Sequence, residues 1–572
     1  MRNQPHIQEP LFTAETESSL YSEDLAPVPV HKRTWGTWHL AALWVGMAVC
    51  IPTWMLASQM ITSGLTWVEA LLIIGLANIV ITLPMVLNGH PGVKYGIPFP
   101  VFGRAAFGIY GIHLPALVRA LVACGWFGIQ TWIGGLAIGA ILATLSGVPY
   151  QADINTFNII GFAVFWLISM YFVVAGTESI KWLEEFSAPV LIVMGILLIV
   201  WGTLSTGGMG EVLDQTKQLR QKSIRWETGT PDRLLLSPLV EADGLTPKAS
   251  EFAVAPSKEA LMNASWQPIQ AVVDQPANGP IWVQLRQKNT NGWLYSSPQW
   301  LEKPSASTTN KASFWTYILW FTAMVGFWAT MSISISDITR LAKSQKAQIA
   351  GQFIGLPGTM MLFSFIGVFV TCASLLIFPD VMIAEDAPWD PVSVLARFSS
   401  PWVVIAAQCM MLIATLSTNI AANVIAPATA FSNLLPKWIS YRTGGILTGI
   451  IGILICPWWL IHEISSILIL ISGLLGPVLG ILMADYFWIR KTKLDVAGLY
   501  QTQGPYTYNT LGVHPAAWLA LFLGVAAALI GLWIPALRHA YDLSWFTGFI
   551  TSALLYRIFF PLFHKNPAQK TL

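Results

Sequence analysis

Charged residues are scarce in this chain of 572 residues. Asp, Glu, Lys and Arg together make up 10% of it, against roughly 25% in an ordinary soluble domain. Hydrophobic residues make up 54%, and the formal net charge is only +2. Because the basic residues fall in short loops rather than in one patch, nucleic acid is not expected as a partner. The composition is typical of a multi-pass protein of the cell membrane, surrounded by lipid.

Cysteine and the common catalytic motifs are also scarce or absent. The five cysteines lie in or beside apolar segments, and no two have the CxxC spacing, so neither a disulfide framework nor a zinc site is indicated. The sequence contains no HExxH motif, no P-loop and no paired carboxylates within an apolar run. It therefore gives no support for an enzyme, and no cofactor is expected.

Long apolar runs are what the sequence has in abundance. A helix needs about 20 apolar residues to cross a hydrocarbon core about 30 Å thick. By this criterion the predicted fold class is an all-α polytopic membrane protein with about twelve spans, at 38–61, 67–88, 114–145, 157–175, 187–205, 314–335, 351–377, 401–425, 444–461, 463–486, 515–535 and 544–562.

The charges in the loops predict the orientation, because Lys and Arg accumulate on the cytoplasmic side of a membrane. With the N-terminus inside, the inner loops hold basic residues such as Lys94, Lys181 and Lys437, whereas the outer loop 378–400 holds four acidic residues and Arg397. Both termini are then cytoplasmic. The predicted regions are a cytoplasmic tail 1–37, spans one to five in 38–205, an extracytoplasmic insertion 206–313, spans six to ten in 314–486, and a cytoplasmic loop with spans eleven and twelve and a C-terminal tail in 487–572.

The insertion 206–313 is polar and contains no run that could cross a membrane. Its segment "PIWVQLRQKNTNGWLYSSPQW" alternates apolar and polar residues on either side of "NTNG", a pattern typical of a β-hairpin. We therefore predict a small external domain that contains β-structure, with a disordered loop as the alternative. No residue pattern indicates which partner the insertion binds.

Two spans contain residues that interrupt helices. In "LWVGMAVCIPTWMLAS", Pro52 lacks an N–H group, so carbonyls near Ala48 and Val49 are expected to lose their helical partners. In span six, Gly326 beside Trp328 predicts a second break. Many secondary transporters build their sites from such discontinuous helices near the middle of the bilayer. The alternative is a simple prolyl kink and a packing glycine.

Polar side chains also occur inside apolar runs. Gln130 lies in "CGWFGIQTW" of span three, and losing water without a partner would cost its amide about 2–7 kcal/mol. Span eight contains "LIATLSTNIAAN", with the polar residues Ser417, Thr418, Asn419 and Asn423. The two asparagines are four residues apart and share one helix face. One amide alone could join two helices, but together these groups predict a polar cavity with a flat ligand between Trp126 and Trp328.

Several longer motifs carry a family resemblance. The segments "NGHPGVKYGIPFPVFGRAAFGIYG", "CGWFGIQTWIGG", "FWATMSISISDITRLAKSQ", "STNIAANVIAP" and "GPVLGILMADYF" resemble the nucleobase:cation symporter-1 family, and they follow its order along nearly the whole chain apart from the insertion. The resemblance implies a LeuT-like fold, with spans one to five and six to ten as two inverted repeats, two terminal spans, and transport by alternating access. Members of the family carry hydantoins, allantoin, uracil, purines, cytosine or related vitamins.

The resemblance also implies site residues. The substrate pocket of the hydantoin carriers falls here on Trp126, Gln130, Trp328, Asn423 and Cys50. Cys50 replaces the glutamine of those carriers with a weaker hydrogen-bonding group, which counts against hydantoin as the substrate. The sodium site of the family falls on Gly46, Val49, Ala414, Ser417 and Thr418.

The predicted function is a secondary active transporter that imports a small planar nucleobase or ureide together with a cation. Sodium is the expected ion, because no Asp, Glu or His lies in the central part of spans one, three, six or eight to carry a proton. Proton coupling, as in a cytosine or vitamin permease, is the alternative. A receptor that senses a substrate with a transporter-like core is a further alternative.

Overall fold

The computed structural model of the chain describes residues 17–62, 65–214, 314–377, 391–460 and 464–563, together with short pieces of the insertion at 224–227, 233–236, 250–256, 259–268, 272–274, 281–289, 292–295 and 299–301. Helices dominate the membrane core, and the described pieces of the insertion are mainly strands. The outer loop at 378–390, on which part of the predicted charge asymmetry depends, lies outside the described residues.

Each of the twelve predicted spans corresponds to a helix or to a pair of broken helices. In chain order these are Thr37–Ala48 with Ile51–Thr62, Trp67–Tyr95, His113–Leu145, Thr156–Ala175, Thr177–Ser205, Phe314–Phe327 with Ala329–Ser334, Gln345–Ile377, Pro401–Asn423, Tyr441–Leu454, Ile464–Met483, Pro515–Leu529 and Ser544–Phe563. Shorter helices connect them at Phe99–Phe107, Met209–Asp214, Ser336–Thr339, Pro391–Leu395, Ile425–Leu434, Pro457–Leu460 and Arg538–Asp542, and a π-helix, Ala484–Ile489, continues span ten.

Length and composition support the assignment of these helices to the membrane. Among the described residues, nine helices are long and apolar enough to cross a membrane, and the bent pair in span one makes a tenth crossing. Spans six and nine begin with shorter apolar helices, Phe314–Phe327 and Tyr441–Leu454. The predicted all-α polytopic membrane fold is therefore confirmed.

Span one is broken where Pro52 predicts it. The helices Thr37–Ala48 and Ile51–Ala57 are bent by 63° relative to each other. Pro52 has no N–H for the Ala48 carbonyl, and the N–H of Thr53, which would bond the Val49 carbonyl in a continuous helix, donates to the Cys50 carbonyl over 3.1 Å. The backbone carbonyls at this break are thus released from the regular helical pattern.

Span six is broken at Trp328, two residues after the predicted position. Trp328 has a φ of −102° and a ψ of 8°, and it separates Phe314–Phe327 from Ala329–Ser334. Gly326 lies inside the first helix, where an added Cβ would come within 1.8 Å of the Ser472 hydroxyl of span ten. Gly326 therefore allows close packing of two spans, and the break lies two residues later, at Trp328.

The described strands of the insertion confirm that it contains β-structure. The strands Ile281–Asn289 and Gly292–Tyr295 pair antiparallel, with Asn289 opposite Gly292, as expected for a hairpin at this position. The two residues between them lie outside the described residues. The longer strand also pairs with Ser250–Ala255 and Gln299–Leu301, and Gln267–Pro268 completes this sheet; Ile224–Glu227, Arg233–Leu236 and Val272–Asp274 form a second one.

Spans one, three, six and eight come together around one cavity. Span three packs against spans eight and nine, and span one packs against spans five and eight. The approach of span three to span nine is close, because an added Cβ on Gly128 would lie 2.3 Å from the Gly452 carbonyl oxygen. This packing brings the polar residues of spans three and eight to the two helix breaks.

Candidate substrate and cation sites

A partly open cavity lies between the two broken spans and spans three and eight, and its empty space, including the opening, is about 360 Å³. Eleven uncharged residues line it: Met47, Cys50, Trp126, Gln130, Phe327, Trp328, Thr330, Met331, Thr418, Ala422 and Asn423. An uncharged, largely apolar lining with a few polar groups is typical of a pocket for a small neutral ligand.

The five residues predicted to bind substrate all line this one cavity. Cys50 comes from the break in span one, Trp126 and Gln130 from span three, Trp328 from the break in span six, and Asn423 from the end of span eight. Their sequence separations reach several hundred residues, so the shared cavity is a property of the fold.

Two buried polar atoms at the cavity lack a hydrogen-bond partner among the described residues. They are the Oε1 atom of Gln130, an acceptor, and the Nε1 atom of Trp328, a donor. The Gln130 side chain is 2% exposed and that of Trp328 is 3% exposed. Leaving such a group unpaired costs about 1–3 kcal/mol, so a ligand that supplies both partners would recover this free energy.

A chain of hydrogen bonds orients Asn423. Its Nδ2 atom donates to the Oδ1 atom of Asn419 over 3.2 Å, and the Asn419 amide in turn donates to the Thr131 hydroxyl over 3.2 Å. Thr131 donates to the Phe127 carbonyl over 2.7 Å. Since the Nδ2 end of the Asn423 amide is turned toward Asn419, its Oδ1 atom can accept a hydrogen bond from a ligand.

Aromatic rings form much of the remaining wall. Phe327 contacts Trp126 with ring centroids 5.9 Å apart and Trp328 with centroids 5.0 Å apart, both edge to face. The indole of Trp44, fully buried behind the cavity, meets Trp328 edge to face at 5.2 Å. These contacts hold the Trp328 ring rigidly and so fix the direction of its Nε1–H group.

Cys50 contributes a weakly polar group. Its sulfur lies 3.2 Å from the Thr53 hydroxyl, and the side chain is 1% exposed. Thr53 is further held by a contact of 3.7 Å to the sulfur of Met360. A thiol already engaged in this way offers a ligand less than the amide of glutamine would.

The predicted cation residues lie at the break in span one and on the facing part of span eight. The hydroxyl of Thr418 donates to the Gly46 carbonyl over 3.0 Å and approaches the Met47 carbonyl at 3.3 Å. It therefore reaches across to another span. Threonines in membrane helices more commonly donate to a carbonyl of their own helix. Val49 lies at the break, Ala414 is one turn before Thr418, and Ser417 is fully buried beside it.

Arg119 is a functional candidate that the sequence prediction missed. This buried residue of span three donates from Nε to the Thr330 carbonyl over 2.8 Å and to the Ser334 hydroxyl over 3.1 Å. Its Nη2 atom approaches the Ala422 carbonyl at 3.4 Å. Thr330 and Ala422 both line the cavity, so Arg119 holds two of its walls together. An arginine inside the apolar run 114–145 was the available signal.

Asp337 is a second polar residue that the prediction left aside, because it follows span six. Its Oδ1 atom accepts a hydrogen bond of 2.6 Å from the Phe99 N–H, and the side chain is 2% exposed. Burial raises the pKa of this carboxyl to about 7, although Arg340, the Phe99 N–H and Arg119 act in the opposite direction. Asp337 is therefore an ionisable group near neutral pH, outside the cavity lining.

Comparison with known proteins identifies the family. The model of the family described as "Permease for cytosine/purines, uracil, thiamine, allantoin" matches residues 27–228 and 270–548. An allantoin permease of Bacillus subtilis is 32% identical over 552 residues, covering 95% of this chain and 93% of the relative. A purine-uracil permease of Arabidopsis thaliana is 32% identical over 567 residues, covering 95% and 78%.

A solved structure has the same fold. It is that of a nucleobase-cation-symport-1 family transporter in a closed conformation with bromovinylhydantoin bound; it is 24% identical, superposes with a TM-score of 0.67, and the match covers 96% of both chains. The fold is therefore the LeuT-like one that the resemblance implies. The chain belongs to the nucleobase:cation symporter-1 family, the permeases for cytosine and purines, uracil, thiamine and allantoin, and it is a transporter and not an enzyme.

Proposed function

We propose that this chain imports a small, neutral, planar nucleobase or ureide together with sodium, by alternating access to the cavity described above. The observation that carries the proposal is the pair of unpartnered atoms at the cavity, the acceptor Oε1 of Gln130 and the donor Nε1 of Trp328. A ring that carries an N–H group and a carbonyl group offers the complementary donor and acceptor. The oxygen of Asn423 would accept a second N–H group.

The lining supports a neutral substrate. None of the eleven lining residues is charged, and an ion without a counterion would be poorly solvated there. Uracil, allantoin and hydantoins all carry N–H and carbonyl groups on a small ring, and purines carry an N–H group with a carbonyl or ring-nitrogen acceptor. The relatives named for allantoin and for purines with uracil make these the first candidates. The thiol of Cys50 in place of an amide makes hydantoin the weaker candidate.

Sodium is the proposed coupling ion. A hard cation prefers oxygen ligands, and the hydroxyls of Ser417 and Thr418 with the carbonyls of Gly46, Val49 and Ala414 would supply five. The hydrogen bond of Thr418 to Gly46 supports the proposal, because it brings oxygens of the two spans within 3.0 Å of each other. The chain would sit with both termini in the cytoplasm and with the insertion 206–313 outside.

Binding and uptake test the proposal in two steps. A thermal-shift screen of the purified protein against uracil, purines, cytosine, allantoin and hydantoins should find a ligand that raises the Tm, because binding to the native state stabilises it. Reconstituted vesicles should then accumulate the radiolabelled ligand when an inward sodium gradient is applied. Binding without accumulation would reject transport and favour a sensor.

A further inference from the structure

Span five reaches the candidate cation site through a buried serine. Ser187 lies in Thr177–Ser205, its side chain is fully buried, and its hydroxyl donates to the Ser417 hydroxyl over 3.1 Å. Span five also packs against both spans that supply the proposed cation ligands, spans one and eight. The site therefore has a third wall, which the predicted set of five residues does not include.

We propose that Ser187 is a positioning residue of the cation site and controls the direction of the Ser417 hydroxyl. This inference rests on the proposed sodium coupling. A hydroxyl that binds a cation must turn a lone pair toward the ion and its proton away from it. In the buried surroundings of Ser417, that proton needs a nearby acceptor, since an unpaired O–H group in an apolar region is costly. The oxygen of Ser187 lies at the required distance.

The hydrogen bond thus has two directions. In one direction, the one in the structure, Ser187 donates to Ser417. With the ion bound, Ser417 donates to Ser187, and the proton of Ser187 turns to another acceptor, such as the carbonyl four residues earlier in its own helix. No proton leaves either residue, so the exchange is a rotation of two hydroxyl groups and the charge of the site does not change.

The consequence is a link between the ion and span five. Thr418 connects span eight to span one, and Ser187 connects span eight to span five. An ion that binds both Ser417 and Thr418 would hold three spans in one arrangement. Removing the Ser187 hydroxyl should therefore weaken sodium binding without altering any residue that lines the substrate cavity.

Sodium alone can serve as the probe, so the test does not depend on knowing the substrate. Purified wild-type protein, Ser187→Ala and Ser187→Thr are titrated with sodium chloride at constant total salt, with choline chloride as the replacement. The apparent Kd for sodium follows from the rise in Tm. We expect Ser187→Ala to raise this Kd at least fivefold and Ser187→Thr, which keeps the hydroxyl, to remain within twofold of the wild type.

A matched control separates this role from simple packing. Ser374 in span seven is equally buried, but its hydroxyl donates to its own Val370 carbonyl over 2.7 Å. Ser374→Ala should change the Tm in choline while leaving the Kd for sodium within twofold. If Ser187 had only a packing role, Ser187→Ala would also change the Tm and leave the Kd for sodium within twofold. If Ser187→Ala fails to fold, Ser187→Cys, which has a similar volume and weaker hydrogen bonding, should raise the Kd in its place.

The outcomes distinguish the two proposals. Sodium-dependent stability in the wild type, with an unchanged Kd in Ser187→Ala, would overturn the role of Ser187 and leave sodium coupling intact. A wild type whose Tm is the same in sodium and in choline would overturn the sodium assignment, and the role of Ser187 with it. A selective rise of the Kd in Ser187→Ala, restored by Ser187→Thr, would establish both.

Discussion

The side-chain amide of Asn423 donates to the Oδ1 atom of Asn419 over 3.2 Å, so two amides one turn apart on span eight are linked in a fixed order. Asn419 is fully buried, whereas Asn423 is 6% exposed and lines the cavity. The inner amide thereby orients the outer one. A site that is oriented before its ligand arrives loses little side-chain entropy on binding.

The first prediction concerns Gln130 and Asn423. Gln130→Ala or Asn423→Ala should weaken ligand binding at least tenfold, about 1.4 kcal/mol, because each variant removes a group that pairs with the ligand edge. The measurement is equilibrium binding of the ligand found by thermal shift. Gln408→Ala, a buried amide on span eight outside the cavity lining, is the control and should bind normally. Unchanged affinity in folded Gln130 and Asn423 variants would assign the two amides to helix packing.

The second prediction concerns Trp126 and Trp328. Stacking on Trp126 should contribute roughly 0.5–1.5 kcal/mol beyond the area buried, and a ligand that also contacts the Nε1 edge of Trp328 should quench the fluorescence of both rings. The double variant Trp126→Phe, Trp328→Phe should lose most of this quenching. Trp545→Phe, a buried tryptophan of span twelve, should retain it. Full quenching in the double variant would show that the ligand stacks elsewhere.

The residues of the cavity could be predicted because their sequence neighbourhoods were unusual. A glutamine between two tryptophans in an apolar run and a proline in the middle of span one both have local consequences. The exact position of the second break could not be predicted from the sequence. Gly326 resembled a breaker, but the Ser472 side chain of span ten, far away in sequence, makes it a packing residue and leaves the break at Trp328.

The partners of Arg119 and Ser187 could not be predicted from the sequence for a similar reason. An arginine near the end of an apolar run usually extends toward the membrane surface, and a buried serine usually bonds its own helix. Their observed partners are 211 and 230 residues away, at Thr330 and Ser417. Only the packing of spans three, five, six and eight brings these groups together.

The third prediction concerns Arg119, which bridges two walls of the cavity. Arg119→Ala should lower the free energy of unfolding by at least about 2 kcal/mol, because it leaves the buried carbonyls of Thr330 and Ala422 without this donor. Arg119→Lys keeps the charge but not the planar set of N–H donors, so its free energy of unfolding should lie between those of the wild type and Arg119→Ala. The Tm of the purified proteins measures the effect. Arg557→Ala, an exposed arginine of span twelve, should change the Tm little, and an equally small change in Arg119→Ala would contradict the bridging role.

The fourth prediction concerns the insertion. Its first helix, Met209–Asp214, packs on span seven and buries Val212 completely, so it belongs to the membrane core. Deleting 216–308 and joining the ends with a flexible linker should preserve ligand affinity within threefold, because loop length alone costs little. Deleting 210–308 should also preserve binding but lower the Tm, since burial of a valine is worth about 1.5–3 kcal/mol. Loss of binding in the shorter deletion, with the core folded, would mean that the insertion controls access to the site.

The last prediction concerns the driving ion. If sodium bridges Thr418 to the carbonyls at the break of span one, its binding holds that break in the arrangement that also places Cys50 at the cavity. Linkage then requires sodium and substrate to raise each other's affinity by the same factor. Sodium, but not potassium, should increase substrate affinity, and Thr418→Ala should abolish the increase. Proton coupling would instead use an ionisable group, and Asp337, whose pKa burial raises to about 7, is available for it. Equal substrate affinity in sodium and choline, with uptake that follows a pH gradient and is lost in Asp337→Asn, would replace sodium by the proton as the coupling ion.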